Sequence, residues 1–535
     1  MNPLPISYLS ATQIAALPGR IFDDLSTTKL ETLDSTQIGA INATGIAVLD
    51  ATQVHALSST QARGLAATQV PNFGAAIVFD AAQLAAFSES AVGALTSTQL
   101  ATLDAGRLDV LAATQIAALS AAGFSSLNAT QIASLEASQL EGLTAGHMAV
   151  LTAGDLAELS TSQVAALTPT QVAALSASVV SALSDPQVRV LSPAQVRSLT
   201  VSQVGGLTST QVGGLASTQL ETLSAAQTGA LTAGQFASLN DTQVTSLSST
   251  QLSGLTATNV SALTATQVTA LTPAQIAGFT LEQMQGLSAT DFAEFTATQV
   301  ALLTPTQLSG LTTTNINALT ATQIEGLSTS QLAALTVSQM GGLTTTDVEE
   351  FSSTRLTQLS AQQVGGLSPG ALSSLSASRF GGLSQSQIAG LTARQLASLS
   401  VTDIGELTTT QVTALAPTQL AGLSVTNLAA LDTSQLTALT PTALRGLTSF
   451  QLRSLGTEAF STLDATQVAG LSASQVGSLS TTVIDSLSTT QIGYLTITQI
   501  PGLTINQLNW LSETNLAAMT PAQVGALTPT QVESL

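Results

Sequence analysis

The chain has 535 residues, 44% of them hydrophobic, 3% aromatic and 8% charged, with a net charge of −20 and no cysteine. It is too apolar for a disordered chain and too poor in aromatics and charge for a string of ordinary enzyme domains. It lacks the basic surface that nucleic acid or an anionic membrane would need, and without cysteine it has neither disulfides nor thiolate metal sites.

Residues 1–8 hold Pro3 and Pro5 and read as an irregular lead-in. They show neither the basic n-region nor the apolar h-region of a Sec signal. From Leu9 an eight-residue unit begins: leucine, Ser/Thr, two small residues, Gln, an aliphatic, then two small or polar residues, numbered here positions 1 to 8. Residues 9–72 hold eight copies, several degenerate, with Pro18 in place of a cap and Ala62 in place of a core aliphatic. Residues 73–78, F-G-A-A-I-V, are six where eight are due, and form the one candidate boundary. Residues 79–534 then hold 57 copies without slippage, before the chain ends on Leu535.

Three residue preferences fix what the unit means. Ser/Thr at position 2 with Gln at position 5 is a capping box, and the apolar positions 1 and 6 are then the N′ and N4 of a hydrophobic staple. Nine prolines (169, 193, 273, 305, 369, 417, 441, 521 and 529) stand at position 3, the first helical residue, where a missing N–H is harmless. Asp34, Asp50, Asp80, Asp104, Asp432 and Asp464 stand at position 2, where a carboxylate both caps and meets the helix dipole. Each octad therefore starts a new short helix. None of the 42 charged residues (31 acidic, 11 basic) occupies position 1 or 6, as expected of positions where an unpaired charge would be buried. Positions 7 and 8 are small or solvent-facing. Gly at position 8 suits a helix C-terminus, and small residues there let neighbouring turns approach.

One continuous helix is excluded, because at 100° per residue the apolar stripe would drift about 80° with each octad. The expected fold is all-α, a solenoid of one- to two-turn helices, one per octad. The alternative is a triangular β-solenoid with three octads per coil. Against it, positions 1 and 6 have opposite parity along a strand, and nine prolines would each delete a ladder bond. Stacked repeats grow in one dimension, so the chain length does not imply several globular domains. No run approaches the ~20 apolar residues of a membrane span.

Candidate chemistry is sparse. Gly366-Leu367-Ser368-Pro369-Gly370 matches the G-x-S-x-G nucleophile elbow, yet the octad grammar produces it unaided. His55 and His147 sit in distant octads without ligand partners at metal spacing, and read as surface histidines. Tyr8, Tyr494 and Trp510, all at position 8, read as cover for adjacent apolar surface. No catalytic, cofactor-binding or metal residue is expected, and no cofactor. Pro501, at position 7, should clip its helix.

Octads such as L-T-A-T-Q-V-T-A and L-S-T-S-Q-V-A-A resemble the low-complexity tracts of very large bacterial exported or surface proteins labelled adhesin-like or haem-utilisation-like. The resemblance covers nearly the whole chain and implies an extracellular or cell-surface structural role. Two functions are expected in order: a long rod, stalk or filament subunit, then an adhesin or an ice- or glycan-binding module using aligned Thr hydroxyls. The near-consensus last octads leave an apolar stacking face, so a homo-oligomer or filament through the solenoid ends is expected. Neither nucleic acid nor membrane insertion is expected.

Overall fold

The computed structural model describes residues 5–535. Within them the chain forms 63 α-helices of four to six residues, three 3-10 turns and no strand. The β-solenoid alternative is thereby overturned. The physical reason lies at positions 1 and 2: they are extended, as at Leu255 (φ −62°, ψ 150°) and Ser248 (φ −68°, ψ 161°), but the extended stretch lasts only two residues before a cap closes the next helix. All nine position-3 prolines open a helix, for example Pro273–Ala277 and Pro305–Gly310. All six position-2 aspartates accept from the N–H three residues on. Pro501 does clip its helix, leaving only the 3-10 turn Ile500–Gly502.

The helices divide into two compact units, Met1–Ala262 and Leu263–Leu535. Each is built the same way. In the first, Ala225–Gly229 packs against Ser249–Gly254; in the second, Val337–Gly342 packs against Ala361–Gly366. In both cases a helix meets the third helix after it. Positions 1 and 6 form the core, as with Leu252 (0% exposed) and Leu255 (4%). Burying a leucine of this kind contributes ~1.5–3 kcal/mol.

Position 8 is small because coils touch there. A Cβ on Gly64 would lie 2.1 Å from the Ser35 carbonyl oxygen, and one on Gly446 would lie 2.0 Å from that of Pro417. Glycine at position 8 does end a helix, as Gly64 does, but without the left-handed conformation: no described residue has positive φ and Gly64 stands at φ −78°, so what selects glycine there is the close approach that small residues at this position were expected to allow.

The short stretch 73–78 has no helix. Phe73, Phe79 and Phe87 stack edge-on through it, with ring centroids 5.1 and 4.9 Å apart. Of the lead-in, residues 1–4 lie outside the described residues, and Ile6–Tyr8 form a 3-10 turn.

Candidate functional site

The feature that organises both units is the side chain at position 5. In an isolated capping box a Gln would need only its oxygen. Gln251 accepts from the Ser248 N–H at 2.8 Å through Oε1, and its own N–H meets the Ser248 hydroxyl at 3.2 Å. Its Nε2 then donates to the carbonyls of Leu220 (2.7 Å) and Leu223 (2.9 Å), 31 and 28 residues earlier. Those carbonyls belong to position 6 of one octad and position 1 of the next. They stand at a helix end, where carbonyls run short of intrahelical partners; Leu220 also accepts from the Leu223 N–H at 3.0 Å.

One carboxamide therefore caps its own helix N-terminus and the C-terminus of a helix one coil earlier. The same geometry recurs in the second unit at Gln363 (to Leu332 and Leu335), Gln387 (to Leu356 and Leu359) and Gln467 (to Leu436 and Leu439). The 28-residue reach equals three and a half octads. At residues 73–78 it shortens by two: Gln83 reaches Val54 and Leu57, 29 and 26 residues back. The latch thus keeps its partners across the fault. These glutamines are buried; Gln251 is 2% exposed. Amide groups buried without partners are costly, and here every polar atom of the carboxamide is used.

Several substitutes at position 5 keep the donor. Asn427 reaches Leu396 and Leu399 through Nδ2, and Arg107 reaches Phe79 through Nε at 3.0 Å while pairing with Asp104. His147 corrects the expectation of a surface histidine. It is 2% exposed, its Nδ1 accepts from the Thr144 N–H at 3.2 Å, and its Nε2 lies 2.7 Å from the Leu119 carbonyl. Its two ring nitrogens reproduce the two ends of the glutamine amide, which fixes the proton on Nε2. His55 is exposed, as expected.

Aspartate cannot donate. All four position-5 aspartates (155, 291, 347 and 403) are followed three residues later by glutamate (158, 294, 350 and 406), and no other octad carries Glu at position 8. The aspartates keep the accepting half of the latch, as when Asp403 Oδ2 accepts from Ser400 N–H at 2.7 Å and from the Ser373 hydroxyl at 2.6 Å. Oε2 of Glu294, Glu350 and Glu406 is buried without a hydrogen-bond partner. Burial, and then the charge of Asp347 or Asp403, push the Glu350 and Glu406 carboxyls above the usual range. This pairing is visible in the sequence, but it has no meaning until the donor role of position 5 is known.

Ser368 of the G-x-S-x-G match is an N-cap whose hydroxyl accepts from Ala371 N–H at 3.2 Å. Trp510 and Tyr8 are exposed and Tyr494 half-buried. Among the described residues no three His, Cys, Asp or Glu side chains converge as a metal site, and no helix is long and apolar enough to cross a membrane.

The family model of the ALTTAQ repeat matches residues 180–217 and 313–345. The protein is a repeat protein, and these two stretches are similar to that family. No curated protein matches the chain. Among solved structures, the leucine-rich repeat-containing protein LegL7 from Legionella pneumophila is 13% identical, covering 43% of this chain and 79% of its own, with a TM-score of 0.12. The pentatricopeptide repeat protein PPR10 in complex with an 18-nt psaJ RNA element is also 13% identical, covering 99% of this chain and 92% of its own, with a TM-score of 0.17.

Proposed function

We propose that the protein is a non-catalytic structural spacer: a self-capping rod acting as an extracellular or cell-surface stalk or filament subunit of an adhesin-like assembly. The observation that carries this reading is the glutamine latch. Most octads close on the one three to four before them through the same bonds, so length can be added without a new kind of contact. The net charge of −20 supports solubility of an apolar solenoid and opposes nucleic acid as a partner.

Val524 is 49% exposed and Val532 56%, whereas Val468 and Val476 at the same position are 0%; the filament reading takes the first coils of a second copy as what covers them. Such a head-to-tail contact is heterologous and propagates into a filament unless its rotation closes a ring.

The hydroxyl-array reading is weaker, because position-2 hydroxyls are already engaged. Thr272 Oγ1 donates to Gln275 Oε1 at 2.9 Å and accepts from the Gln275 N–H. Sedimentation over a concentration series tests the filament reading. Mass should grow with concentration, and Val532→Asp should abolish the growth. A monomer at every concentration, or growth indifferent to that substitution, would reject assembly through this face. A positive thermal-hysteresis or glycan-array signal would favour the hydroxyl array instead.

A further inference from the structure

From residue 79 on, one octad lacks both halves of the capping machinery. Residues 455–462 read L-G-T-E-A-F-S-T, with Gly456 where the cap hydroxyl belongs and Ala459 where the latch belongs. The octads on either side are complete. Gln451 donates to Leu420 and Leu423 at 3.0 and 2.8 Å, and Gln467 donates to Leu436 and Leu439 at 2.9 and 2.8 Å. The carbonyls due to receive the missing amide are those of Leu428 and Leu431, which stand 31 and 28 residues before Ala459.

A cavity of about 390 Å³ opens at this place, and its lining includes Leu428, Leu431, Gly456 and Ala459. Other alanines at position 5 leave no such opening: Ala91 and Ala371 are 0% exposed and Ala443 1%, whereas Ala459 is half-buried. The helix Thr457–Ser461 has no side-chain cap. The three buried alanines keep their position-2 caps, so the cavity goes with the loss of cap and latch together, and it is large enough for a small ligand.

We propose that this cavity binds a small primary carboxamide carried on an apolar body. Its NH2 takes the place of the glutamine Nε2 on the Leu428 and Leu431 carbonyls. Its oxygen takes the place of Oε1 on the Gly456 N–H. The apolar body lies against Val425, Leu436 and Leu455. Asp432 and Glu458 also line the cavity and repel a carboxylate of the same shape. A tertiary amide has no N–H for the carbonyls. An amidinium has no acceptor for the Gly456 N–H.

The test uses the full chain and benzamide as the probe, with benzoate, N,N-dimethylbenzamide and benzamidine as controls. Hydrogen exchange is followed at the backbone amides of residues 456–459. Benzamide should slow it saturably, by about tenfold at ten times its dissociation constant, because protection scales with 1 + [L]/Kd. The controls should not. Ala459→Gln restores the latch residue. It should slow the same amides without ligand and remove the response to benzamide. No response to benzamide would mean the cavity holds only water, and would overturn the proposal. Equal protection by N,N-dimethylbenzamide would reduce the site to an apolar hole, and equal protection by benzamidine would make it a cation site; either result overturns the carboxamide assignment. A benzamide response that persists in Ala459→Gln would place binding elsewhere.

Discussion

The carboxamide nitrogen of Gln363 and the carbonyl oxygen of Leu335 lie 28 residues apart in sequence and 2.9 Å apart in space. The same nitrogen reaches Leu332 at 2.8 Å, while the oxygen of that amide takes the Ser360 N–H at 2.9 Å. Three backbone groups thus bond to one side chain, and of these the Leu332 carbonyl also accepts from the Leu335 N–H at 3.2 Å.

Gln363→Leu keeps the bulk and removes all three bonds. Each buried group left unpaired costs ~1–3 kcal/mol, so the variant should lose more stability than Thr272→Ala, a cap substitution worth ~1 kcal/mol. Gln363→Glu should be worse still, since its carboxylate faces two carbonyl oxygens. Denaturant unfolding of the three variants checks the order, and equal losses would mean that the amide is only a cap.

His147→Gln should be nearly neutral in the same assay, because Gln makes the bonds that His147 makes to Thr144 and Leu119. His147→Leu should destabilise by ~1–3 kcal/mol for each group it strands. If the leucine variant is as stable as the glutamine one, the histidine is filling space against Phe124, 5.0 Å away, and is not acting as a latch.

The Asp–Glu octads should make stability fall as pH rises. The Glu350 and Glu406 carboxyls are pushed up by burial and by Asp347 and Asp403. The folded state therefore holds their protons more tightly than the unfolded state. Their contribution is fully present below the ordinary carboxylate range and is lost as pH rises through the raised values. The double variant Glu350→Gln/Glu406→Gln should remove that loss and be the more stable protein at neutral pH. Asp464 has the opposite sign. The Thr466 hydroxyl and then the Gln467 N–H hold its carboxyl down, so its share is lost as pH falls. Unfolding midpoints followed from neutral pH up to about pH 8 and down to about pH 2, below the ordinary aspartate range, separate the two.

Deleting the whole octad 383–390 leaves every later position 5 facing a position 6 and a position 1, and should give a folded, shorter protein. Deleting four residues from it should damage only the adjoining coils, since stability in stacked repeats is a sum of nearest-neighbour terms. Global unfolding by both deletions, seen by circular dichroism, would show one indivisible core.

The local half of this fold was legible in the sequence. Proline at 273, aspartate at 432 and the absence of charge from positions 1 and 6 each report a requirement met within one helix. The other half was not. A glutamine that caps its own helix looks the same in sequence whether or not its nitrogen bonds to a carbonyl 28 residues away, because that partner depends on the size of the coil. For the same reason His147 read as a surface residue, although it answers to the neighbouring coil through the Leu119 carbonyl.

The most direct measurement is hydrogen exchange of the glutamine side-chain NH2 groups themselves, by NMR on the intact chain. If they bridge coils, those of Gln251, Gln363 and Gln467 should be protected as strongly as the helical backbone around them. Exchange at the rate of free glutamine would contradict the latch and leave position 5 with no role beyond its own helix.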